Sequence, residues 1–205
     1  MKLYWSSRSP YVRKVMIVAH ETGVADRIEK ISVLVSGMSP PNPAVMRDNP
    51  LNKIPTLITD EGVTLFESAM ICEYLDSLHA GPRLFPAEPA LRWPALRWHA
   101  LGHATLDAEM AWRAEKRRPS QQQAPVALQA YELKLQSALA LLGGEVGALG
   151  AAPFSIGHIG VACALAYLDF RFADFDWRAG QPCLGAWFDE LSKRACLRAT
   201  AFIDA

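Results

Sequence analysis

The sequence predicts an α/β domain with the element order βαβ-ββα, followed by an all-helical domain. Three observations predict this organisation. A strand, a helix and a strand follow one another in the first residues, two short strands then flank a turn, and no strand pattern occurs in the second half of the chain. We therefore expect an α/β domain over residues 1–79, a linker over 80–88 and a helical domain over 89–205.

The first unit of the α/β domain is predicted from residues 2–35. Residues 2–5 favour a strand, and apolar residues then recur at helical spacing from Val12 to Ala19 until Gly23 ends the helix. Residues 28–35 are largely apolar and β-branched, which is typical of a second strand. A strand, helix and strand in this order predict a parallel pair joined by a right-handed crossover.

The remainder of the α/β domain begins with a segment rich in proline, a residue that breaks regular elements. Further along, the sequence Asp60-Glu61-Gly62 stands between two short β-favouring runs, as in a hairpin. The expected elements are an irregular loop over residues 36–54 with at most a helical turn near Ala44–Arg47, strands over 56–59 and 63–66, and a helix ending near Leu78.

The linker contains several prolines and a Leu84-Phe85 pair that we expect to anchor it. Helical periodicity dominates the rest of the chain. Long helices are predicted over residues 91–118, 126–149 and 156–172, and a shorter one begins at Pro182.

Composition excludes several classes of protein. The chain has 205 residues, of which 51% are hydrophobic and 20% charged, so intrinsic disorder is excluded. Lysine plus arginine equals aspartate plus glutamate at 21 each, so no overall field attracts nucleic acid or an anionic membrane. Without a signal-like N-terminus or an apolar run long enough to span a bilayer, we expect a cytoplasmic protein with no nucleic-acid or membrane partner.

The four cysteines are expected to be buried or incidental thiols. They are far apart and form neither a C-x-x-C pair nor a metal-ligand spacing, so no metal site is expected. Because the first of them is Cys72, thiol redox chemistry is not available at the N-terminal helix.

Three serines precede the N-terminal helix, where they could form an anion site. Ser6, Ser7 and Ser9 lie between the first strand and Pro10. Backbone N–H groups at a helix start are unpaired and carry partial positive charge, so a serine there can also hydrogen-bond a thiolate, phosphate or carboxylate. The structural alternative is that Ser9 is an ordinary N-cap.

Two later motifs have structural alternatives of their own. Ile54-Pro55 stands between the predicted loop and a strand, where an ordinary trans proline could open an edge strand and Lys53 could be a solvated side chain. Glu67-Ser68 precedes a helix, where Ser68 could be a cap and Glu67 a favourable charge near the helix dipole.

Taken in order, the segments SSRSPYVRK, NPLNKIPTL and LFESAMI resemble those of glutathione transferases, most closely the bacterial serine-type members. The resemblance extends over essentially the whole chain and implies a thioredoxin-like first domain, with glutathione as co-substrate and no metal. It implies that Ser9 donates a hydrogen bond to the glutathione sulfur, with Ser7, Ser6 and Tyr4 as alternatives. The implied glutathione-binding residues are Ser9, Lys53 beside the glycine carboxylate, Ile54 through its main chain at a cis Pro55, and Glu67 with Ser68 around the γ-glutamyl group.

The resemblance also implies a homodimer and an electrophile pocket on the first helix of the second domain, where His103, Asp107 and Met110 are candidates. At helical spacing such residues are alternatively core or dimer contacts. Ser155 is expected to cap a central helix in a capping box, with His158 where the family usually has aspartate. That replacement is expected to weaken the box.

These features bear on three functions. The first is a glutathione S-transferase that activates glutathione as a thiolate for attack on a small hydrophobic electrophile or a peroxide. The second is a non-catalytic protein that binds glutathione or apolar ligands on the same scaffold. A glutaredoxin-like reductase is disfavoured because position 9 is serine instead of cysteine.

Overall fold

The computed structural model describes residues 1–36 and 40–204, so part of the predicted loop over 36–54 lies outside the described residues. The chain forms two compact units. One consists of Met1–Phe85 together with Ala195–Ala205, and the other of Pro86–Arg194. The C-terminal segment, which the sequence predicts to be part of the helical domain, thus groups with the α/β unit.

The α/β unit contains a four-stranded mixed sheet in the order β2-β1-β3-β4. Strand β1 pairs parallel with β2, whereas β3 pairs antiparallel with both β1 and β4. The predicted βαβ-ββα order and the parallel first pair are confirmed. Its elements are β1 (Lys2–Trp5), α1 (Pro10–Glu21), β2 (Glu29–Ser32), α2 (Pro43–Asp48), β3 (Thr56–Ile58), β4 (Thr64–Phe66) and α3 (Ser68–Ser77).

Strand β2 is shorter than the predicted 28–35. Its last register pair joins Trp5 to Ser32, and one further hydrogen bond runs from the Val33 amide to the Trp5 carbonyl at 3.0 Å. Since β1 ends at Trp5, no further pairing of this edge strand occurs among the described residues. Apolar, β-branched composition therefore overestimates the length of this strand.

The end of the α/β unit is fixed by one buried carboxylate. Asp76 accepts hydrogen bonds from the main-chain amides of Leu84 and Phe85 at 2.9 and 3.0 Å, and from the Arg83 side chain through its carbonyl. Leu84 and Phe85 are both buried, so the expected anchoring pair is confirmed.

The second unit is entirely helical in its regular structure, apart from a short 3₁₀ turn at Ser120–Gln122. The three long helices are confirmed within two residues at each end, and the shorter helix begins at Pro182 as predicted. A four-residue helix was not predicted, because one turn is too short to show periodicity. The helices are α4 (Pro89–Lys116), α5 (Pro125–Ala151), α6 (Ile156–Arg171), α7 (Trp177–Gly180) and α8 (Pro182–Leu191).

Helices α4 and α6 pack so closely that glycine is required where they cross. A Cβ atom on Gly102 would lie 2.4 Å from the carbonyl carbon of Gly160. A Cβ on Gly157 would lie 2.7 Å from the Ala95 carbonyl oxygen. Neither backbone can yield by that much, so these glycines allow the central helix α6 to be buried against α4.

A last helix, α9 (Ala195–Ala199), belongs to the α/β unit and packs against α1. The Arg13 side chain on α1 donates to the Leu197 carbonyl at 3.4 Å, and its guanidinium lies 4.7 Å from the centre of the Phe202 ring. The C-terminal residues are thereby attached to α1, the helix that follows Ser6, Ser7 and Ser9, here called the serine cluster.

The capping box at the start of α6 is formed with histidine as the acceptor. The Ser155 amide donates to Nδ1 of His158 at 3.2 Å, while Nε2 lies 2.9 Å from the Leu149 carbonyl oxygen. A carbonyl only accepts, so the hydrogen resides on Nε2 and leaves Nδ1 as an acceptor. Burial lowers the pKa of His158 and outweighs the hydrogen bond to the Leu149 carbonyl, which raises it; the charge of Arg194 adds a smaller lowering, so the ring is neutral. The neutral ring thus replaces the aspartate carboxylate as acceptor.

We predict that His158 makes the protein acid-sensitive. A histidine with a lowered pKa stabilises the fold above its unfolded value of about 6.5, and this contribution is lost as pH falls. The free energy of unfolding should therefore decline from pH 7 to pH 5.5, and His158→Gln should reduce that slope while costing about 1–2 kcal/mol at pH 7. Denaturant titrations at each pH measure both, with the exposed His20→Gln as control. An unchanged slope in His158→Gln would contradict the assignment.

Glu109 on α4 is the most deeply buried acidic side chain in this unit. It is fully buried, and neither carboxylate oxygen has a hydrogen-bond partner among the described residues. Burial raises the pKa of Glu109 well above 4.5, because the charged form loses its hydration. The carboxyl group therefore destabilises the fold once it ionises.

We predict that Glu109→Gln stabilises the protein at high pH. The raised pKa means that the stability associated with protonated Glu109 is present below pH 4.5 and is lost as pH rises through the folded pKa. The free energy of unfolding of the variant should exceed that of the wild type by about 1–3 kcal/mol at pH 8, and by less at pH 5. Thermal melts across this range check the prediction. Glu132→Gln, at an exposed position, serves as control, and a stability difference independent of pH would refute the explanation.

Candidate functional site

Strand register brings the three sequence motifs to one end of the sheet. Tyr4 in β1 pairs with Thr56 in β3, and Thr56 pairs with Phe66 in β4. The serine cluster follows β1, Ile54-Pro55 precedes β3, and Glu67-Ser68 follows β4. Because β3 runs antiparallel to both neighbours, all three motifs emerge at the same edge.

Ser9 is the N-cap of α1 and uses its oxygen as an acceptor. The Val12 amide donates to Ser9 Oγ at 3.3 Å, and Pro10 occupies the first helical turn. Since the N-cap bond uses only a lone pair, the hydroxyl hydrogen of Ser9 remains available for donation. The half-buried hydroxyl thus lies beside the partially positive N-terminus of a twelve-residue helix.

Two of the alternative hydroxyls donate to other parts of the chain. Ser7 Oγ donates to the Ile203 carbonyl at 2.9 Å. The Tyr4 hydroxyl lies 2.6 Å from Oδ2 of Asp48, and this hydrogen bond, together with burial, raises the pKa of Tyr4. Ser6 Oγ, the third alternative, accepts a long hydrogen bond of 3.4 Å from the Arg8 amide.

The Ile54–Pro55 peptide bond is cis, as the resemblance implies. One buried side chain, Asn49, holds the preceding loop. Its Nδ2 donates to the Lys53 carbonyl at 3.1 Å and to Oγ1 of Thr56 at 2.9 Å, and its Oδ1 accepts from the Leu51 amide at 3.0 Å. The loop is thus fastened on both sides of Ile54.

The main chain of Ile54 is available at this edge. Within residues 1–36 and 40–204, neither its N–H nor its carbonyl has a hydrogen-bond partner. Lys53 next to it is exposed. A peptide-like ligand could therefore pair with Ile54 as an added strand would.

Glu67 adopts a left-handed backbone conformation, with φ of 75°, at the start of α3. Its Oε1 accepts from the Ala69 amide at 3.5 Å and from Oγ of the buried Ser68 at 3.3 Å. Ser68 Oγ in turn accepts from Nζ of Lys14 at 3.4 Å. Sequence reasoning missed Lys14, although a lysine within the apolar face of a helix was the available signal.

The candidate electrophile residues lie on α4 of the helical unit. His103 Nε2 and Asp107 Oδ2 are 3.8 Å apart, and Met110 is exposed. A separate cavity of about 170 Å³ near the start of α4 includes none of the three. It is lined by Pro86, Ala90, Leu91, Pro94, Ala95, Trp98, Ala152, Pro153 and Ser155.

The other features that bear on function are the cysteines, the possible metal ligands and the apolar helices. Cys72, Cys163 and Cys196 are buried thiols, and Cys183 is exposed. In the described part of the chain, no group of three or more histidine, cysteine, aspartate or glutamate side chains could hold a metal ion. No helix among residues 1–36 and 40–204 combines the length and apolar character needed to cross a bilayer.

Comparisons with known proteins agree with this architecture. A family model described as the glutathione S-transferase N-terminal domain matches residues 8–78, and one described as the C-terminal domain matches residues 121–190. The chain is 32% identical over 196 residues to an uncharacterized GST-like protein, YibF, of Escherichia coli K12, with 95% of each sequence covered.

Two solved structures also match over nearly their full length. A glutathione transferase family member from Pseudomonas fluorescens Pf-5 with bound glutathione has a TM-score of 0.93 and 40% identity, with 97% of each chain covered. A glutathione S-transferase from Methylobacillus flagellatus KT with glutathione bound has a TM-score of 0.87 and 34% identity, covering 98% of this chain and 99% of that one. The chain therefore belongs to the glutathione S-transferase family, with a thioredoxin-like unit and an all-helical unit.

We predict that Asn49→Ala destabilises the protein by about 2–3 kcal/mol. The change removes three hydrogen bonds and leaves buried polar groups of the loop without a partner. Chemical denaturation followed by circular dichroism measures the loss. Gln121→Ala, at an exposed amide, should change stability by less than about 0.5 kcal/mol. Equal stability of the two variants would show that Asn49 does not hold the loop.

Proposed function

We propose that this protein is a serine-type glutathione transferase that binds glutathione along the thioredoxin-like unit and holds its sulfur as a thiolate with Ser9. The observation that carries the proposal is the position of the Ser9 hydroxyl. It accepts from the α1 backbone and retains its hydrogen at the edge where the three motifs meet. Two similar proteins, each at least 34% identical to this chain, have structures with bound glutathione, which supports glutathione as the thiol ligand.

The remaining contacts of the tripeptide follow from the polarity of each motif. The main chain of Ile54 at cis Pro55 pairs with the cysteinyl backbone, and Lys53 lies beside the glycine carboxylate. Glu67 and Ser68 receive the γ-glutamyl head, whose ammonium needs an acceptor and whose carboxylate needs donors. The start of α3 supplies both kinds of group.

Catalysis in this proposal comes from the population and position of the thiolate. An unperturbed thiol has a pKa near 8.5, so most of it is protonated at neutral pH. A hydrogen bond from Ser9 and the dipole of α1 favour the anion, and each 1.4 kcal/mol of this preference raises the thiolate-to-thiol ratio tenfold. The thiolate sulfur then bonds to a small hydrophobic electrophile and displaces a leaving group such as chloride, or takes one oxygen of a peroxide as the O–O bond breaks and the other oxygen leaves as the alcohol. Neither route needs a covalent enzyme intermediate.

His103, Asp107 and Met110 remain proposed pocket residues for the electrophile, and a homodimer remains the proposed assembly. Partial exposure of these side chains on α4 leaves them accessible to a ligand. The chemistry of the second substrate is a property of that pocket, because one scaffold hosts many reactions.

We predict that Ser9→Ala raises the pKa of enzyme-bound glutathione and lowers turnover at pH 6.5 by about tenfold or more, with little loss of glutathione affinity. Turnover of a chlorinated nitrobenzene across pH 6 to 9 measures activity, and calorimetry measures binding. Ser9→Thr retains both the cap and the donor and should keep most of the activity.

Three outcomes would count against the proposal. A pH profile unchanged in Ser9→Ala would transfer the role to Ser7, Ser6 or Tyr4, which single substitutions would then separate. Tight glutathione binding without turnover of any electrophile or peroxide would favour the non-catalytic binder. No heat on titrating glutathione into the wild type would remove the basis for a glutathione-dependent function.

A further inference from the structure

A lysine ammonium lies inside the α/β unit, directly behind the Glu67-Ser68 turn. Lys14 on α1 is 0% exposed, and its Nζ donates to Ser68 Oγ at 3.4 Å. Ser68 is itself 2% exposed and donates to Glu67 Oε1 at 3.3 Å. The hydrogen bonds therefore run in one direction, from Lys14 through Ser68 to the carboxylate of Glu67.

This direction follows from the chemistry of the ammonium group. Protonated lysine has three donors and no acceptor, so the bond from Lys14 occupies a lone pair of the Ser68 oxygen. The single hydrogen of Ser68 must then point away from Lys14. Glu67 Oε1 accepts it in this structure. Lys14 thus makes Ser68 a donor toward anionic groups at the surface of the turn.

Packing alone does not account for lysine at this position. Burying an ammonium costs more than burying an apolar side chain of similar length, such as methionine. The neighbours of Lys14 on α1, Val12, Val15 and Met16, are buried apolar residues that satisfy the core without charge. The hydrogen-bonded charge instead adds positive potential where the N-terminal amides of α3 already carry it.

We propose that Lys14 is a positioning residue for the γ-glutamyl subsite, fixing Ser68 as a donor to the α-carboxylate of glutathione. The inference rests on the proposed function, since it concerns the same ligand. Lys14 does not touch the ligand, because its side chain has no exposed surface. Its effect is transmitted through the orientation of one hydroxyl and through its charge behind the turn.

The test compares two ligands in two proteins. The ligands are glutathione and 4-aminobutyryl-cysteinylglycine, which lacks only the α-carboxylate of the γ-glutamyl group. We expect the wild type to bind the analogue at least about tenfold more weakly by calorimetry. Lys14→Met should bind glutathione about tenfold more weakly and should discriminate between the two ligands by less than about threefold.

Steady-state kinetics provide a readout that a general loss of structure would not give. In Lys14→Met the KM for glutathione should rise, while kcat at saturating glutathione should stay within about twofold of the wild type, because Ser9 is unchanged. As a control, Lys2→Met at an exposed lysine on β1 should bind each of the two ligands with the same affinity as the wild type. Full ligand discrimination retained by a folded Lys14→Met would overturn the inference.

If Lys14→Met does not fold, the same ligand comparison is made with Lys14→Arg. Guanidinium is also a donor without acceptors, so Lys14→Arg should keep the preference for glutathione over the analogue. Loss of that preference in folded Lys14→Arg would overturn the inference. Failure of the wild type to bind glutathione would refute the proposed function as well, whereas binding without discrimination would refute only the role of Lys14.

Discussion

The pairing of β3 between β1 and β4 is the constraint on which the candidate site depends. It places Tyr4, Thr56 and Phe66 in one row across the sheet, so that three segments distant in sequence begin or end beside one another. The chain leaves β1 toward the serine cluster, enters β3 from the cis proline turn and leaves β4 toward Glu67. A shift of one residue in either pairing would turn the side chains of a strand to the opposite face and separate these motifs.

Hydrogen-bond direction then assigns different tasks to chemically similar hydroxyls. Tyr4 and Ser7 donate to the chain and are thereby committed to structure, one holding α2 through Asp48 and the other holding the C-terminal segment. Ser9 accepts from the backbone and keeps its hydrogen. Ser68 accepts from Lys14 and donates to Glu67, so its hydrogen points away from Lys14. Whether a hydroxyl can serve a ligand depends on which of its atoms the fold already uses.

In the helical unit, close packing and hydrogen bonding depend on glycines and on a neutral histidine. Its central helix approaches α4 through glycines, since any Cβ there would collide with backbone. A neutral histidine forms the capping box because its two nitrogens can accept and donate at once, which an aspartate cannot do at this position. Both hydrogen bonds of the box are formed, with histidine as the acceptor from the Ser155 amide, and the expected weakening of the box relative to aspartate stays a prediction. Glu109, by contrast, is buried without such compensation.

The sequence by itself determined the order of the elements, the family and the positions of the three motifs, because periodicity, turn residues and short motifs are local signals. It could not determine that α9 packs on α1, that β2 stops where β1 ends, or that Lys14 lies behind Ser68. Nor could it determine the different hydrogen-bond partners of Ser9, Ser7 and Tyr4, since all three carry a hydroxyl near one turn. These outcomes depend on contacts between residues distant in sequence, from Trp5 and Ser32 in the β1–β2 pair to Ser7 and Ile203, and only the folded chain decides which donor meets which acceptor.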